Sequence, residues 1–413
     1  MILPELLAPA GTLESLHAAV KGGCNAVYFG VENFNMRNAN SFAFFIDDIK
    51  KITAICHTNN IRIYGALNTI IYTNELSRMQ SAVYNLKKCN VDAVIASDIS
   101  VINFAGSISL PVHISTQLSV SNIDAVRFYA KFSDRIVLAR ELDLKSIKKI
   151  ITLIKKHCIN GPSGNLVEIE VFIHGALCTA VSGRCWMSLH QYNTSANRGN
   201  CLQPCRRGYL VTDIETGDSL QVSNKYIMSP RDLSVLPFLD RICSTGVRSL
   251  KIEGRARSPE YVLTVTSAYR KALDAINSNS FTPKLIKSLM DSIHHVYNRG
   301  YSGGYYLGKK KELWSKRYGS QATHRKIYFG KLLHFYSKAG AAEVLIEAGK
   351  LFLHEEVIIT GPTTGILKFI PTEMRINNTP VTEASRGSRI TILVPEKVRP
   401  ADRFYVFRKI RSD

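Results

Sequence analysis

The sequence has no long uninterrupted apolar run. Its 413 residues are 45% hydrophobic, but no apolar stretch approaches the roughly 20 residues that a transmembrane helix needs. The opening Met-Ile-Leu-Pro-Glu also lacks the charged region and apolar stretch of a secretory signal peptide. We therefore expect no membrane span, no export and a cytoplasmic location.

Acidic residues are scarce relative to basic ones. The chain has 33 Asp and Glu against 53 Lys and Arg, which gives a formal net charge of +20. Such an excess attracts polyanions over long distances, so nucleic acid or an anionic membrane surface is an expected partner. The alternative is that the charge serves only solubility.

The second histidine of a zinc-protease motif is missing. His354-Glu-Glu-Val is followed by Ile358, where His-Glu-x-x-His would place its second metal ligand. A cysteine protease using Cys178 and His174 is the remaining proteolytic alternative. The sequence therefore gives little support to proteolysis.

Four of the nine cysteines lie in one polar segment. Six residues separate Cys178 from Cys185, and three separate Cys201 from Cys205. Grouped thiols on flexible backbone are typical of zinc or of an iron-sulfur cluster. We name these four the cysteine quartet and predict that they bind metal. The alternative is burial as small hydrophobic residues, which fits the remaining five: Cys24, Cys56, Cys89, Cys158 and Cys243.

Short apolar runs alternate with helical patterns through the first 250 residues or so. Eight runs have the composition of strands, and they begin near residues 6, 26, 62, 93, 112, 135, 168 and 249. This alternation predicts an α/β fold, an eight-stranded parallel TIM-like barrel over residues 1–297, with the cysteine segment inserted at 176–246. An open doubly wound sheet is less favoured, because no glycine-rich phosphate-binding sequence follows the first strand.

In such a barrel the functional groups lie where strands end. The predicted ends carry Asn68, Gln117, Arg140, Glu141, His174 and Glu253. The predicted catalytic residues are His174, as a proton-transfer group, and the strand carboxylates Glu170 and Glu253. For His174, as for His113, the alternative is a hydrogen-bonded core residue.

Basic residues near these positions suggest substrate binding. A buried carboxylate needs a partner, and Lys251 and Arg255 flank Glu253. An arginine fork binds carboxylates through two parallel hydrogen bonds, so we interpret Arg37 and Arg140 as anion clamps. The predicted substrate-binding residues are therefore Arg37, Gln117, Arg140, Lys251 and Arg255.

The segment 298–325 is basic and aromatic. It contains Lys309, Lys310 and Lys311, followed by Trp314 and Arg317. Cationic side chains between aromatic rings suit phosphates and unstacked bases, so these five residues are predicted to bind RNA. The alternative is a solvated linker.

Residues 326–413 contain at least six short strand patterns separated by Gly, Pro and Asn-rich turns. This pattern predicts a small antiparallel β-barrel. The turns at 361–365 and 398–402 are similar to those of the β-barrel domain of translation factors. Such a module would be an RNA platform or, alternatively, a stabilising lid.

Several sequence blocks resemble the collagenase-like peptidase family of unassigned catalytic type, the peptidase U family. They are Glu170-Val-Phe-Ile-His-Gly-Ala-Leu-Cys178, Ser182-Gly-Arg-Cys-Trp-Met-Ser188, Pro4-Glu-Leu-Leu-Ala-Pro-Ala-Gly11, Phe34-Asn-Met-Arg37, Ser115-Thr-Gln117, Cys201-Leu-Gln-Pro-Cys-Arg206 and Ser249-Leu-Lys-Ile-Glu-Gly-Arg255. Together they span most of the chain up to about residue 277, and they are specific for the family.

The resemblance implies a chemistry. Better-understood members of this family hydroxylate RNA or ubiquinone precursors and are associated with a four-cysteine 4Fe-4S cluster. The chain looks most similar to the prephenate-dependent tRNA hydroxylation proteins, which implies tRNA as partner, prephenate as co-substrate, a 4Fe-4S cluster and a possible companion subunit of the same family. Where sister members often have Asp-Leu-Cys, this chain has Asp232-Leu-Ser234. That leaves Cys205 as the fourth expected ligand, with Cys243 as an alternative.

Overall fold

The computed structural model describes residues 3–37, 44–220, 228–308, 314–315 and 319–410. The first part of the chain alternates strands and helices. Its strands are β1 (Glu5–Pro9), β2 (Ala26–Gly30), β3 (Arg62–Leu67), β4 (Ala93–Ala96), β5 (Val112–Ile114), β6 (Arg135–Val137) and β7 (Glu168–Gly175). Its helices are α1 (Leu13–Lys21), α2 (Ile46–Thr58), α3 (Leu76–Lys88), α4 (Ile99–Ser107), α5 (Ile123–Tyr129) and α6 (Leu144–Lys156).

The middle of the chain carries the cysteine segment and completes the barrel. In chain order its elements are α7 (Met187–Tyr192), β8 (Val211–Thr212), β9 (Ser219–Leu220), β10 (Asp232–Ser234), α8 (Leu239–Cys243), β11 (Ser249–Ile252), α9 (Pro259–Asn277), α10 (Pro283–His294) and β12 (Tyr301–Ser302). The short strands β8 and β9 pair antiparallel as a hairpin.

Eight parallel strands close into a ring. β1 to β7 pair in order, β11 pairs with β1, and β11 also pairs with β7. The predicted eight-stranded parallel barrel is therefore confirmed. Its strands are short and buried on both faces, as all four residues of β4 illustrate, because helices cover the outside of a parallel sheet.

The helices follow from simple local rules. In α6, Ile147, Ile150, Ile151 and Ile154 are buried and recur at helical spacing. Asp143 caps the helix by accepting a hydrogen bond from the Ser146 amide at 2.8 Å. Among the described residues, no helix combines the length and apolar character required to cross a membrane.

The amino-terminal end of the barrel interior is filled by charged side chains in mutual contact. Arg135 lies 2.5 Å from Glu5 and 2.6 Å from Glu168. Tyr64 donates to Glu5 at 3.0 Å. Because these groups occupy the lower interior, the accessible cavity lies at the opposite end, where the strands finish.

Two local predictions differ from the structure. The apolar pattern near 233–244 predicts one helix, but this segment begins as β10, which pairs antiparallel with the end of β7, and only α8 within it is an α-helix. Pro237, in the 3-10 turn between them, lacks the amide that would continue a helix from β10. Cys158 is exposed, not buried, because it follows α6 with a positive φ of 46°.

The segment 298–325 contacts the barrel directly. β12 pairs with β10, and buried Tyr306 donates to the Phe172 carbonyl at 2.5 Å. Asn298 and Arg299 are also buried. This part of the predicted linker therefore packs on the barrel near the cysteine segment.

The carboxyl-terminal part is an antiparallel sheet with its own core. Its strands are β13 (His324–Tyr336), β14 (Ala341–Ile346), β15 (Lys350–Phe352), β16 (Val357–Gly361), β17 (Gly365–Phe369), β18 (Met374–Ile376), β19 (Thr379–Pro380), β20 (Glu383–Ser385), β21 (Arg389–Leu393) and β22 (Arg403–Lys409). Eight of them form one sheet running from β17 to β19, and β15 pairs with β20. The predicted antiparallel module is confirmed.

This module packs against the outer face of the barrel helices. Ile358, Ile366 and Phe407 belong to the same buried apolar cluster as the barrel core, and β17 contacts α1 and α9. At Gly365, which has a φ of +70°, a Cβ atom would lie 2.3 Å from the Cβ of His17. Glycine is therefore required where the two parts meet most closely.

Candidate active site

A cavity opens at the carboxyl end of the barrel strands. Its polar lining comes from the loops after six of them: Arg37, Asn68, Gln117, Arg140, Cys178, Glu253 and Arg255, with Lys251 from β11 below. The empty space, including its opening to solvent, is about 650 Å³. The five residues predicted to bind substrate thus line one cavity.

Glu253 and Arg37 form an ion pair inside this cavity. Arg37 Nε donates to Glu253 Oε1 at 2.9 Å. Burial disfavours the carboxylate, but Arg37, Arg255 and Arg140 outweigh it and lower the pKa of Glu253 to about 2. The carboxylate in turn raises the pKa of Arg37. Both groups are therefore charged at neutral pH, and Glu253 is a hydrogen-bond acceptor.

Arg140 presents an unused edge. Its Nη1 donates to the Ala176 carbonyl at 3.1 Å, and its guanidinium lies 4.5 Å from the ring centroid of Phe172. Its buried Nε and Nη2 atoms make no hydrogen bond with the described residues. Burial lowers the pKa of Arg140. Two adjacent buried donors without acceptors match the two oxygens of a carboxylate.

Lys251 and Arg255 add two more positive charges. Lys251 Nζ donates to Glu170 Oε1 at 2.9 Å and lies 4.6 Å from the ring centroid of Tyr28. Arg255 Nη1 donates to Asn35 Oδ1 at 3.0 Å, while its buried Nε has no partner among the described residues. Burial lowers the pKa of Arg255. Arg255 therefore supplies a further unused donor.

Glu170 lies beneath the cavity. It is fully buried, accepts from Ser249 Oγ at 2.9 Å and pairs with Lys251. The register explains this contact, because Ser249 is opposite Glu170, and Lys251 is opposite Phe172, on the neighbouring strands. Glu170 therefore holds Lys251 in position and does not line the cavity.

The charges of this site do not balance. Four cationic side chains (Arg37, Arg140, Lys251 and Arg255) accompany two carboxylates, Glu253 and Glu170. An uncompensated buried charge is costly, so the excess favours an anionic ligand with about two charges. A small dicarboxylate would satisfy both the charge and the unused donors of Arg140 and Arg255.

Gln117 and Asn68 form the neutral part of the lining. Asn68 Nδ2 donates to Gln117 Oε1 at 3.2 Å, and Asn68 Oδ1 accepts from the Met36 amide at 3.2 Å. Both residues also line an adjoining pocket that contains Trp186, whose side chain is 67% exposed. An aromatic platform therefore lies next to the cation-rich cavity.

His174 lies outside the cavity. A bulge in the pairing of β7 with β11 sets His174 opposite Ile252, and the ring packs between the barrel and its outer layer beside Tyr269 and Tyr301. Nδ1 is 3.3 Å from Tyr269 Oη. Burial, with Arg257 adding repulsion, lowers the pKa of His174 to about 3. This position suits a neutral core histidine and not the predicted proton-transfer role.

The cysteine quartet lies on the loop that follows β7. All four thiols are free, and Cys178 also lines the cation-rich cavity. Burial raises the pKa of Cys205, Arg206 opposes the shift, and the neighbouring thiols of Cys178 and Cys201 add to it. Cys243, the alternative ligand, is buried on α8. The described residues contain no group of three His, Cys, Asp or Glu side chains close enough to share one metal ion.

The predicted RNA-binding residues are only partly described. Lys309, Lys310, Lys311 and Arg317 lie outside the described residues. Trp314 is 41% exposed and lies in a groove with Arg140, Glu141 and Cys178. A backbone bridge to Pro230 fixes this position, and no local sequence pattern predicts this bridge.

Three contacts in the site were not predicted. Tyr28 and Phe172 supply aromatic faces to Lys251, and Asn35 accepts from Arg255. Tyr28 and Phe172 sit on strands whose apolar composition suggested only core packing. Asn35 lies within the 34–37 block that carried the family resemblance, which was the available signal.

Comparison with known proteins identifies the family. The model of peptidase family U32 matches residues 11–316. The chain belongs to peptidase family U32. The match spans seven of the eight barrel strands, all except β1, together with the cavity and the cysteine quartet, so the sequence resemblance is confirmed.

Family U32 relatives carry two kinds of name. A protein named collagenase from Porphyromonas gingivalis is 45% identical over 405 residues, 98% of each chain. The tRNA hydroxylation protein P1 of Bacillus subtilis is 33% identical over 312 residues, 74% of this chain and 71% of the relative. A 23S rRNA 5-hydroxycytidine synthase of Escherichia coli is 35% identical over 276 residues, 66% of this chain and 39% of the relative. Membership of family U32 therefore does not by itself define the reaction.

Proposed function

We propose that this protein is an RNA-hydroxylating enzyme that converts the wobble uridine of tRNA to 5-hydroxyuridine, with prephenate as co-substrate and a 4Fe-4S cluster on the cysteine quartet. The observation that carries the proposal is the buried, cation-rich cavity bordered by Cys178. A tRNA substrate also implies a cytoplasmic location. The names of the tRNA and rRNA hydroxylation relatives support RNA as the substrate class.

Prephenate suits the cavity because it carries two carboxylates. The free Nε and Nη2 edge of Arg140 would bind one of them through two parallel hydrogen bonds. The second would approach Arg255, whose Nε is also unused. Two negative charges would then balance the excess of cations over Glu253 and Glu170.

Glu253 and Glu170 have positioning roles in this proposal. Glu253 is ionised at neutral pH because its pKa is about 2, so it fixes Arg37 instead of donating a proton. Glu170 fixes Lys251 through the 2.9 Å contact. The two carboxylates thus hold two of the four cations in place before an anion arrives, which lowers the ordering cost of binding.

The donor chemistry of the quartet fits a cluster. Four free thiols lie on one loop, and thiolates are the usual ligands of 4Fe-4S clusters. When bound, such a cluster supplies one-electron redox chemistry. Cys178 would be the ligand nearest the anion cavity.

Related hydroxylations are alternatives within the same chemistry. The E. coli relative is named for 5-hydroxycytidine in ribosomal RNA, and the family resemblance also implies ubiquinone precursors. The net charge of +20 and the exposed aromatic rings of Trp186 and Trp314 favour RNA over a quinone, since RNA binding uses positive charge and base stacking.

Proteolysis is the second candidate, because the relative with 45% identity is named collagenase. The side chains do not support it. His174 is separated from the cavity that Cys178 lines. Residues 300–304 match the Gly-x-Ser-x-Gly pattern of serine hydrolases, but Ser302 lies on β12 and not on a strand-to-helix turn. Its buried Oγ has no hydrogen-bond partner among the described residues, so no described histidine activates it.

Nucleoside mass spectrometry of RNA from a deletion strain tests the proposal. We expect 5-hydroxyuridine derivatives to disappear from tRNA, while 5-hydroxycytidine in ribosomal RNA stays unchanged. Loss of 5-hydroxycytidine alone would move the substrate to ribosomal RNA. Unchanged levels of both nucleosides would contradict RNA hydroxylation, and collagen cleavage by the purified protein would then support the peptidase.

A further inference from the structure

A second basic pocket borders the cysteine segment. Its charged lining is Arg206, Arg207 and Arg299, and it also contains Tyr297 and Cys201. We name it the arginine pocket. It shares no lining residue with the cation-rich cavity, so the two are separate pockets.

The arginines of this pocket are held in place by different contacts. Arg206 Nη2 donates to the Leu177 carbonyl at 2.8 Å. Arg299 is buried, and its Nη1 lies 3.4 Å from Asp232 Oδ1. Arg207 lies against the ring of Tyr192, 5.0 Å from its centroid. Arg206 and Arg299 are therefore held in place before a ligand binds, while Arg207 is an exposed side chain at the edge of the pocket.

The charge of the arginine pocket is not balanced. Asp232 pairs with Arg299, whereas Arg206 and Arg207 form no ion pair with a carboxylate of the described residues. Three guanidinium groups thus face one carboxylate. Bringing like charges together in a partly buried site is unfavourable unless an anion joins them.

We propose that the arginine pocket binds two neighbouring backbone phosphates of the RNA substrate. Guanidinium groups match phosphate oxygens bidentately, and Tyr297 gives the pocket an aromatic wall, with Arg257 3.8 Å and Arg299 5.1 Å from its ring centroid. This inference rests on the proposed function, because it assigns where the RNA chain of that reaction is held.

The lining favours a polynucleotide over a free nucleotide. Nucleotide phosphates in α/β proteins usually meet backbone amides at a helix N-terminus, while the described lining here is made of side-chain guanidiniums. Cys201 joins this pocket to the quartet, and Cys178 joins the quartet to the anion cavity. An RNA chain held by the arginine pocket would therefore pass beside the quartet near the cavity.

The test compares RNA binding by full-length, anaerobically purified protein and two matched double variants. Arg206→Gln with Arg207→Gln removes two charges from the pocket. Lys148→Gln with Lys149→Gln removes two exposed charges from α6. Affinity for an unmodified tRNA transcript is measured by fluorescence anisotropy between about 50 and about 200 mM salt.

We expect the arginine variant to bind the transcript at least tenfold more weakly and to lose about 2 from the slope of log affinity against log salt, since each lost phosphate contact removes about 1. The lysine variant should retain the parent affinity and slope. Equal slopes for the arginine variant and the parent would overturn the proposal. Inorganic phosphate and uridine monophosphate are added as competitors of the transcript. If uridine monophosphate displaces the transcript when both are at the same concentration, the pocket is a nucleotide site and not an RNA-backbone site.

Two further measurements separate the possible failures. Arg206 adjoins Cys205, so iron content and thermal unfolding are measured for each variant, and Arg207→Gln alone tests the pocket if the double variant does not fold. Arg207→Gln should reduce the slope by about 1, and an unchanged slope would overturn the proposal. Loss of 5-hydroxyuridine in the deletion strain together with an unchanged slope would reject the pocket but keep the function. A reduced slope with unchanged nucleosides would reject the function but keep the pocket as an RNA site.

Discussion

Replacing Glu253 by glutamine should destabilise the barrel in a pH-dependent way. The pKa of Glu253 falls from 4.5 to about 2 in the folded protein, which corresponds to about 3 kcal/mol of stabilisation by the ionised form. Because the folded pKa is the lower one, this contribution is complete above about pH 6 and is lost as the pH falls towards 2. A little under half of it remains at about pH 3.

The variant should therefore lose about 3 kcal/mol of unfolding free energy at pH 7, because Arg37 keeps its charge in the cavity without the paired carboxylate. The difference from the parent should shrink to about half by pH 3. Urea denaturation at pH 7, 5, 4 and 3 measures this difference in unfolding free energy across the titration of the carboxyl group. Glu215→Gln, on the exposed β8–β9 hairpin, is the control and should match the parent at each pH.

A destabilisation by Glu253→Gln that is the same at pH 7 and pH 3 would refute this reasoning. It would mean that the loss comes from packing and not from the charge of the carboxylate. A variant as stable as the parent at pH 7 would contradict the ion pair itself.

Three other predictions concern ligands. Arg140→Gln should weaken prephenate binding at least tenfold in calorimetry, since two charge-assisted hydrogen bonds are lost. Binding of a monocarboxylate analogue should be affected less. Equal affinity of the variant and the parent for prephenate would contradict the clamp. Anaerobically purified protein should contain about four irons, and replacing any member of the cysteine quartet by Ala should remove this iron and its brown colour. Stoichiometric zinc without iron would count against a cluster. Replacing residues 309–311 by Ala should flatten the salt dependence of RNA binding. Trp314→Ala should weaken RNA binding with little change in that salt dependence. A triple variant with the salt dependence of the parent would show that these lysines contact no phosphate.

The barrel was predictable because its signals are local. Each strand and helix of the first half has its own apolar periodicity, and eight repeats imply closure. The ends of these strands then bring Arg37, Gln117 and Arg140 to one cavity, as expected from parallel topology. The ion pairs were harder to predict, since Glu253 accepts a hydrogen bond from Arg37 and not from Lys251 or Arg255, its neighbours in sequence.

The errors come from non-local pairing. His174 was assigned to the cavity by counting along β7, but the bulge against β11 turns its side chain outward. The helix predicted near 233–244 failed because β10 pairs with β7 instead. Neither contact has a signature in the local sequence, since each depends on strands far apart in the chain.

The most direct test of the central claim restores the deletion strain with three versions of the gene. The parent protein should return 5-hydroxyuridine derivatives to tRNA. Arg140→Gln and Cys178→Ala should not restore them, although both variants accumulate as folded protein. The first lacks the proposed anion clamp, and the second lacks a proposed cluster ligand. Full restoration of 5-hydroxyuridine by both variants would contradict the assignment of this cavity and the cysteine quartet to RNA hydroxylation.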